Sequence, residues 1–440
     1  MDFIQKFFFV LKTTYVGLAI EFLNNILIVR YLGSESYGAY TVMFILPILI
    51  TSLGSFGFGP SIVYHVNKLE FNISEYLSTF TILGLTLGFI YVVFFLFLLP
   101  FVNSYFYEDK LITDLFYISI LFVPIMITQK YLRAIVRGMY KIKLFSFLLD
   151  LTAPSLRLLL IIFIIYSDLG LKGIVYVPII TQFFITACFF VYLLKLCKKS
   201  FNNLFISKTI FIRITKFAFK NYLGTALQKS NETLIMLIAS TILTLNEIGL
   251  ISLAKKLLHS IIGISDSVIT VLMPKISRSE IDKVKSVVPK LTSILFFFKI
   301  IFIFLYLSLL EEFVKFIYGT DFVGIVEFSI PLAFVVIFLP IANILLTAIT
   351  FTGDPIKKLY ARATGLIFNL LAYYPLFLVY GALGFVVSIA IGQFIIFLVS
   401  LFFFKSKFEG ITLYKLFIID MNDIKYLFKI LRNKFSRKYE

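Results

Sequence analysis

The sequence predicts an all-α integral membrane protein of about twelve transmembrane helices in two six-helix bundles. Three observations predict it. Apolar residues make up 60% of the 440 residues and charged residues only 15%, whereas about a quarter of a soluble domain is charged. Runs such as 82–101 and 383–404 reach the ~20 apolar residues that a spanning helix needs. A few charges nevertheless lie inside such runs, where lipid alone does not tolerate them.

The apolar runs place each helix. We expect helices at 7–30, 38–64, 77–100, 113–136, 147–166, 173–195, 218–243, 249–273, 288–310, 325–349, 360–380 and 382–404. The first run lacks a small-residue cleavage site and continues into a second span, so we interpret it as a retained helix. Cys188 and Cys197 form no spaced framework, which argues against a disulfide scaffold or a metal site.

The net charge of +17 is distributed unevenly over the connections between helices. One set is acidic and includes Glu108, Asp109, Glu247, Glu311 and Glu312. The alternate set is basic and includes Arg137, Lys141, Lys143, Lys198 and Lys199. The positive-inside rule places the basic set, and both termini, in the cytoplasm. Topology thus explains the excess charge, and no nucleic-acid partner is needed.

The longest polar interruption, 196–216, divides the predicted helices into two groups. We predict an N-terminal six-helix bundle at 1–200, a cytoplasmic linker at 201–217, a C-terminal six-helix bundle at 218–404 and a basic amphipathic cytoplasmic tail at 405–440. The halves begin alike, with Ser36-Tyr37-Gly38-Ala39-Tyr40 in one and Glu247-Ile248-Gly249-Leu250-Ile251 in the other. An even helix count makes this a parallel repeat, unless the likeness between apolar helices arose by chance.

Three predicted helices carry polar residues on one face, at spacings of three and four residues. They are Thr14, Gly17, Glu21, Asn24 and Asn25 in the first helix; Asn221, Thr225, Gln228 and Glu232, beside Lys229, in the seventh; and Ser252, Lys255, His259, Gly263, Asp266 and Thr270, beside Lys256, in the eighth. Such groups normally face a bundle interior or a wet cavity. The deep charge is mainly cationic, so we expect a positively lined, water-accessible lumen that holds an anionic ligand.

Internal pairing is the other interpretation of these deep charges. On that interpretation Lys229–Glu232 and His259–Asp266 are ion or hydrogen-bond pairs that hold helices together. Both interpretations stay open for Glu232, Asp266, Asp150 and Arg157. Adjacent Lys255 and Lys256 favour a functional role, because cations in an outer half break the orientation rule and lack two obvious partners.

Several polar features near helix ends need no special role. Lys12, Lys130, Arg133 and Lys220 are within reach of the inner surface and can snorkel there. Gly54, Gly57 and Gly59 before Pro60 predict a flexible or kinked helix end. The sequence has no phosphate-cradling glycine loop, metal-ligand spacing or catalytic constellation. We therefore predict no enzyme, no catalytic residue and no metal.

The segment Tyr31-Leu32-Gly33-Ser34-Glu35-Ser36-Tyr37-Gly38-Ala39-Tyr40 resembles the Wzx-type polysaccharide flippases of the MOP (MATE-like) superfamily. Arg133 to Arg137-Gly138, ahead of a lysine-rich turn, is similar to that family's fourth helix end. Asn369 followed by Pro375, Gly381 and Gly384 also resembles the family. The resemblance runs from about Phe7 to Phe404. The second-half counterpart, Asn246 to Ile251, departs from the pattern because it lacks the aromatic pair.

The resemblance implies a flippase in the bacterial cytoplasmic membrane. It would move an undecaprenyl-pyrophosphate-linked oligosaccharide from the inner to the outer leaflet by alternating access, for O-antigen, capsule or exopolysaccharide. Its partners would be that lipid-linked oligosaccharide, membrane lipids and other polysaccharide-assembly proteins. Related flippases of lipid-linked peptidoglycan precursors use basic residues on the first and eighth helices, which Arg30, Lys255 and Lys256 resemble in placement.

We therefore predict substrate binding in the lumen by Lys255, Lys256, Arg30, Lys229 and Asn25. The candidates for a coupling proton or sodium ion are Glu21, Glu232 and Asp266, and no other cofactor is expected. Two alternatives remain. A cation-coupled multidrug antiporter of the MATE type calls for an excess of lumen carboxylates, whereas here deep cations outnumber deep acids. A membrane glycan polymerase or ligase calls for a large outer loop, whereas the outward connections are short.

Overall fold

The computed structural model describes residues 3–67, 72–106, 110–197, 205–258, 281–352, 354–408 and 412–418, and all regular structure within these ranges is helical. The α-helices are α1 (Phe3–Gly54), α2 (Phe58–Asn67), α3 (Ile73–Phe106), α4 (Lys110–Ser119), α5 (Phe122–Gly138), α6 (Ile142–Ser146), α7 (Ala153–Tyr166), α8 (Gly170–Leu196), α9 (Lys208–Ala239), α10 (245–258), α11 (Ile281–Ile317), α12 (Ile325–Phe351) and α13 (Pro355–Lys407). A π-helical turn, Phe147–Thr152, joins α6 to α7.

Among the described residues, eight helical stretches are long and apolar enough to cross a membrane. Two of them, Lys12–Gly54 and Ile356–Lys407, are each a pair of helices that meet at a glycine. Gly33 (φ 73°, ψ 175°) and Gly381 (φ 56°, ψ −137°) adopt backbone conformations that a Cβ would strain. With α9 and α10 at the positions of the seventh and eighth predicted helices, an all-α, multi-pass membrane fold is confirmed.

The second predicted helix, 38–64, is broken at residues 55–57. Phe56 (φ 45°) and Gly57 (φ 65°) are left-handed there, α1 ends at Gly54, and α2 begins at Phe58. The kink predicted from the glycine-rich run is therefore confirmed. The break leaves the last carbonyl groups of α1 without donors from their own helix.

The chain divides into two compact units, Met1–Gly249 and Leu250–Glu440. In the first unit, α5 packs against α2, α3 and α8, and α1 packs against α7 and α9. In the second unit, α12 packs against α11 and α13 over a core that includes Ile341, Leu345 and Phe404. The predicted bundle boundaries at 1–200 and 218–404 stay a prediction.

The two motifs that begin the predicted halves touch each other through their glycines. A Cβ on Gly38 would lie 1.7 Å from the carbonyl oxygen of Leu245 and 3.1 Å from the backbone nitrogen of Gly249. A Cβ on Gly249 would lie 2.2 Å from the carbonyl oxygen of Ser34. Small residues of this kind let membrane helices approach at backbone distance. The glycines of both motifs are therefore explained by close packing.

Helix α9 begins at Lys208, ten residues before the predicted start at 218. Ile210, Ile214 and Ala218 recur every four residues and are buried, and the hydroxyl of Ser61 donates to the carbonyl of Ile214 at 3.0 Å. Exposed cations between these positions made the segment resemble a linker. The spacing of its apolar residues was the signal for a helix.

A buried lysine of the second unit is held by a carbonyl group that a proline leaves open. Lys299 of α11 is 5% exposed, and its Nζ donates to the carbonyl oxygen of Val336 in α12 at 2.9 Å. Pro340 stands four residues after Val336 and has no N–H, so this carbonyl lacks its intrahelical donor. The lysine supplies the missing donor.

Lys299→Met is expected to destabilise the protein by about 1–3 kcal/mol, because the Val336 carbonyl then stays buried without this donor. Adding Pro340→Ala supplies a backbone N–H for the same carbonyl. The double variant K299M/P340A should therefore melt closer to wild type than K299M does, as measured by thermal unfolding in detergent. Equal melting temperatures for the single and double variants would contradict this explanation of the lysine.

The two ends of α13 meet in an ion pair. The Nζ of Lys407 lies 2.6 Å from the carboxylate of Asp354, and that of Lys357 lies 3.6 Å away. The hydrogen bond from Lys407 lowers the pKa of the Asp354 carboxyl below its ordinary value. The predicted tail starts beside this pair. The ring centroid of Phe417 in that tail lies 5.2 Å from the ring centroid of Phe296. The rest of its predicted amphipathic face lies outside the described residues.

Candidate functional site

The polar face of α1 packs against the π-helical turn and α7 in the first unit. Thr14 donates from Oγ1 to the carboxylate of Asp150 at 3.1 Å, and Asn24 donates from Nδ2 to the carbonyl of Pro154 at 2.9 Å. A Cβ on Gly17 would lie 1.7 Å from the carbonyl oxygen of Asp150. Pro154 leaves that carbonyl without its α-helical donor, so glycine allows α1 to pack directly on a distorted helix start.

Glu21, a predicted ion-coupling residue, is paired with Arg157 of α7. The Nη1 of Arg157 lies 2.9 Å from each carboxylate oxygen of Glu21. Exposure is 34% for the Glu21 side chain and 26% for that of Arg157. For Arg157, then, internal pairing occurs, with a partner 136 residues away in the chain. Because both side chains keep part of their surface exposed, the pair borders accessible space.

Asn25 and Arg30 differ in their surroundings although both lie on α1. Asn25 is 2% exposed, and its Oδ1 accepts a hydrogen bond of 3.4 Å from the hydroxyl of Tyr37. The Arg30 side chain is exposed. Asn25 thus has a partner in the segment after Gly33, and Arg30 keeps an exposed side chain on the same helix.

Lys255 and Lys256 lie on α10 in the second unit. Their neighbours Leu253, Ala254 and Leu257 are buried, whereas Lys255 is half-buried and Lys256 is exposed. Lys255 forms no hydrogen bond or ion pair with any residue that the structure describes. The helix therefore buries its apolar face and leaves the lysine face accessible.

The side chains of the remaining predicted residues lie outside the part of the chain that the structure describes. Lys229 and Glu232 belong to α9, in a part of that helix where only the backbone is described. Asp266 lies outside the described residues, as does His259. Their roles stay predictions.

The first unit also contains a cavity of about 330 Å³ that is lined on one side by three cations. They are Lys130, Arg133 and Arg137, which share one face of α5 because they follow at intervals of three and four residues. The broken segment between α1 and α2 forms another wall, which includes Ser55 and Gly57. We call this space the basic cavity.

Lys130 in the basic cavity has a structural partner. Its Nζ donates to the carbonyl of Thr51 at 2.8 Å, and the hydroxyl of Tyr222 donates to the carbonyl of Leu53 at 2.6 Å. Both acceptors are among the last carbonyls of α1, which no N–H of that helix reaches. A cation at a helix C-terminus is also favoured by the helix dipole. Lys130 thus caps α1.

The two arginines of the basic cavity have no comparable partner. Arg133 is half-buried and makes no hydrogen bond or ion pair with a described residue. Arg137 is exposed, and its guanidinium carbon lies 5.9 Å from the ring centroid of Phe145. The cavity thus presents positive charge that the described protein does not neutralise.

The sequence assigned Lys130 and Arg133 to snorkelling and did not predict this cavity. Snorkelling explains how a cation near a helix end reaches water, but it does not say which groups lie opposite. The missing information was the break at 55–57, which brings a second wall to the same face of α5. The sequence did contain one sign of a basic site: three cations spaced three and four residues apart ahead of Gly138, which places them on one helix face.

Solved structures identify the fold of this chain. The lipid II flippase MurJ in an inward closed conformation aligns with a TM-score of 0.76 at 17% identity, over 96% of this chain and 92% of that one. A multidrug resistance MATE family transporter in an inward-facing conformation aligns with a TM-score of 0.73 at 16% identity, over 89% of this chain and 94% of that one. A MOP superfamily transporter from Pyrococcus furiosus aligns with a TM-score of 0.57 at 15% identity, over 92% of this chain and 96% of that one. The chain has the MOP transporter fold.

A family model described as "Polysaccharide biosynthesis protein" matches residues 27–327. The match covers more than half of the chain, and the protein belongs to this family. The matched range includes the motif from Tyr31 to Tyr40, which confirms the family resemblance. No curated protein sequence matches the chain.

Proposed function

We propose that this protein is a flippase that moves an undecaprenyl-pyrophosphate-linked oligosaccharide from the inner to the outer leaflet of the bacterial cytoplasmic membrane. The unit delivered would feed the assembly of a surface polysaccharide. The observation that carries the proposal is the match to a polysaccharide biosynthesis family over residues 27–327, on a fold shared with a lipid II flippase. A lipid-linked sugar is the cargo that fits both the family and the fold.

The chemistry of this cargo accounts for the deep cations. A diphosphate cannot enter hydrocarbon without a counter-charge, whereas the polyprenyl chain can stay in the bilayer. Lys255, Lys256, Arg30 and Lys229 would neutralise the diphosphate, and charge-assisted hydrogen bonds of this kind are the stronger class. Asn25 would contribute an amide to the sugar path. Accessible lysines on α10 and an accessible Arg30 support these roles.

Alternating access would be driven by a proton or a sodium ion bound at Glu21, Glu232 or Asp266. Glu21 is the one whose surroundings are described. Protonation of its carboxylate would weaken the ion pair with Arg157 and so loosen the packing of α1 on α7. Binding of an ion at Glu21 would in this way change how two helices of the first unit pack against each other.

A cation-coupled drug antiporter is the main alternative, because the fold is also that of a MATE transporter. Binding a cationic drug requires a carboxylate whose charge is free. In the first unit, Glu21 is neutralised by Arg157. Asp150 keeps its charge without a described cation, but both arginines of the basic cavity also lack a described counter-ion. Charge balance there favours an anionic cargo.

Deletion of this protein from a cell that makes surface polysaccharide is expected to abolish the surface polymer and to raise the amount of lipid-linked repeat unit on the cytoplasmic side. Extraction and mass spectrometry of the lipid-linked units, before and after outer-surface digestion, measure both. Intact single units on the outer surface would indicate a polymerase instead. Normal polymer with raised drug sensitivity would indicate an antiporter.

A further inference from the structure

The basic cavity contains more positive charge than its surroundings balance. Arg133 and Arg137 lie four residues apart on α5, a spacing at which like charges on a helix repel. Neither forms an ion pair with a described carboxylate. Arg133 is half-buried, and a charge that leaves water is costly unless it is paired. An anion bound between the two guanidinium groups would remove the repulsion and supply the counter-charge.

The wall opposite the arginines suits an anion as well. Ser52 and Ser55 line it with hydroxyl groups, and α2 begins at the same wall with Gly59 and Pro60. The N–H of Phe58 donates to the carbonyl of Ser55 at 3.1 Å, and Pro60 has no N–H. The start of α2 therefore offers an anion the N–H of Gly59 and the partial positive charge of a helix N-terminus. A Cβ built on Gly59 meets no heavy atom within 4 Å, so the space beside this backbone is open to a ligand.

The size and position of the cavity narrow the ligand class. About 330 Å³ lies at the small end of ligand sites, which suits a headgroup of one or two phosphates. Guanidinium groups match phosphate oxygens in bidentate geometry. Helix α5 runs from this cavity into the connection with Lys141 and Lys143, which the charge rule assigns to the cytoplasmic side. A lipid headgroup of the inner leaflet carries phosphate groups and lies near the cytoplasmic end of α5.

We propose that the basic cavity is a binding site for the phosphate groups of a lipid headgroup, held between Arg133, Arg137 and the start of α2. The diphosphate of the lipid-linked cargo and the phosphate of an anionic phospholipid share this chemistry. Occupation by the cargo would make the cavity a first binding site, separate from the lysines of α10, and this part of the proposal rests on the proposed function.

The test uses full-length protein purified in detergent. Undecaprenyl diphosphate and phosphatidylglycerol are titrated separately, with diacylglycerol as the phosphate-free probe, and binding is followed by native mass spectrometry. The double variant R133Q/R137Q is expected to bind the phosphorylated probes at least about tenfold more weakly, since it removes charge-assisted hydrogen bonds. The matched variant K141Q/K195Q removes two exposed cations near the same predicted surface and should bind like wild type.

A second variant guards against misfolding of the arginine double variant. Gly59→Leu places a side chain in the open space of the cavity without a clash at Cβ, so it should fold and should also weaken binding. R133K/R137K keeps the charge but loses the bidentate geometry, and intermediate binding is expected.

Weaker binding of the diphosphate alone assigns the cavity to the cargo, and weaker binding of both lipids assigns it to phosphate headgroups in general; each outcome supports the site. Unchanged binding of both lipids in R133Q/R137Q and G59L overturns it. The phospholipid result does not depend on transport, so the site can stand where flipping fails. Flipping by wild type with unchanged binding in the variants removes the site and leaves the flippase.

Discussion

Lys255→Glu combined with Lys256→Glu is expected to abolish export of the surface polymer while the protein still folds and inserts. The two lysines lie on the accessible face of α10, and Lys255 has no described partner whose loss would disturb packing. Reversal of both charges replaces attraction to a diphosphate by repulsion. Each charge-assisted hydrogen bond contributes about 1.5–3 kcal/mol, so loss of two predicts a fall of at least about a hundredfold in transport.

The control for that prediction is K255R/K256R, which keeps both charges. Polymer output of a deletion strain complemented with each variant gives the comparison, and membrane fractionation verifies equal amounts of inserted protein. The arginine variant should restore polymer, whereas the glutamate variant should not. Normal output from K255E/K256E would show that these lysines are not needed to bind the cargo.

Breaking the Glu21–Arg157 pair from one side is expected to have the second largest effect. Glu21→Gln leaves the Arg157 cation without its carboxylate, and Arg157→Gln leaves the carboxylate alone. Removing one partner of a buried pair costs about 3–5 kcal/mol. These side chains are 34% and 26% exposed, so solvent screens part of their electrostatic interaction. We therefore expect each single variant to lose about 1–3 kcal/mol of folding stability. Thermal unfolding in detergent measures the loss.

The double variant E21Q/R157Q separates a structural pair from a coupling site. Two uncharged amides leave no isolated charge, so stability should recover towards wild type in either case. If Glu21 binds the coupling ion, transport by the double variant stays lost although its stability returns. If the pair only joins α1 to α7, transport returns with stability. Additive losses of stability in the double variant would contradict the pairing itself.

Glycine positions illustrate what could be predicted from the sequence. Apolar runs of spanning length predicted the helices, since a membrane segment must satisfy its backbone within a helix. The glycine-rich run before Pro60 predicted a kink, and the structure breaks the helix at 55–57. Gly33 belongs to the motif that carried the family resemblance, and its φ of 73° explains why glycine stands there.

The partners of the deep charges could not be predicted, because pairing depends on which helices become neighbours. Glu21 and Arg157 are separated by 136 positions, and no periodicity within one helix relates them. The basic cavity was missed for the same reason: its cations are on α5, while its opposite wall comes from the break after α1. The acceptor of Lys299 could not be predicted either, because it depends on Pro340 in another helix.

Translocation by the purified protein is the measurement that most directly tests the account. Full-length protein is reconstituted into liposomes with a fluorescent, diphosphate-linked oligosaccharide lipid on one leaflet, and a membrane-impermeant quencher reports how much reaches the other. Wild type should move the labelled lipid much faster than K255E/K256E or protein-free liposomes. Equal rates in all three samples would contradict the proposal that this chain is a flippase for lipid-linked sugars.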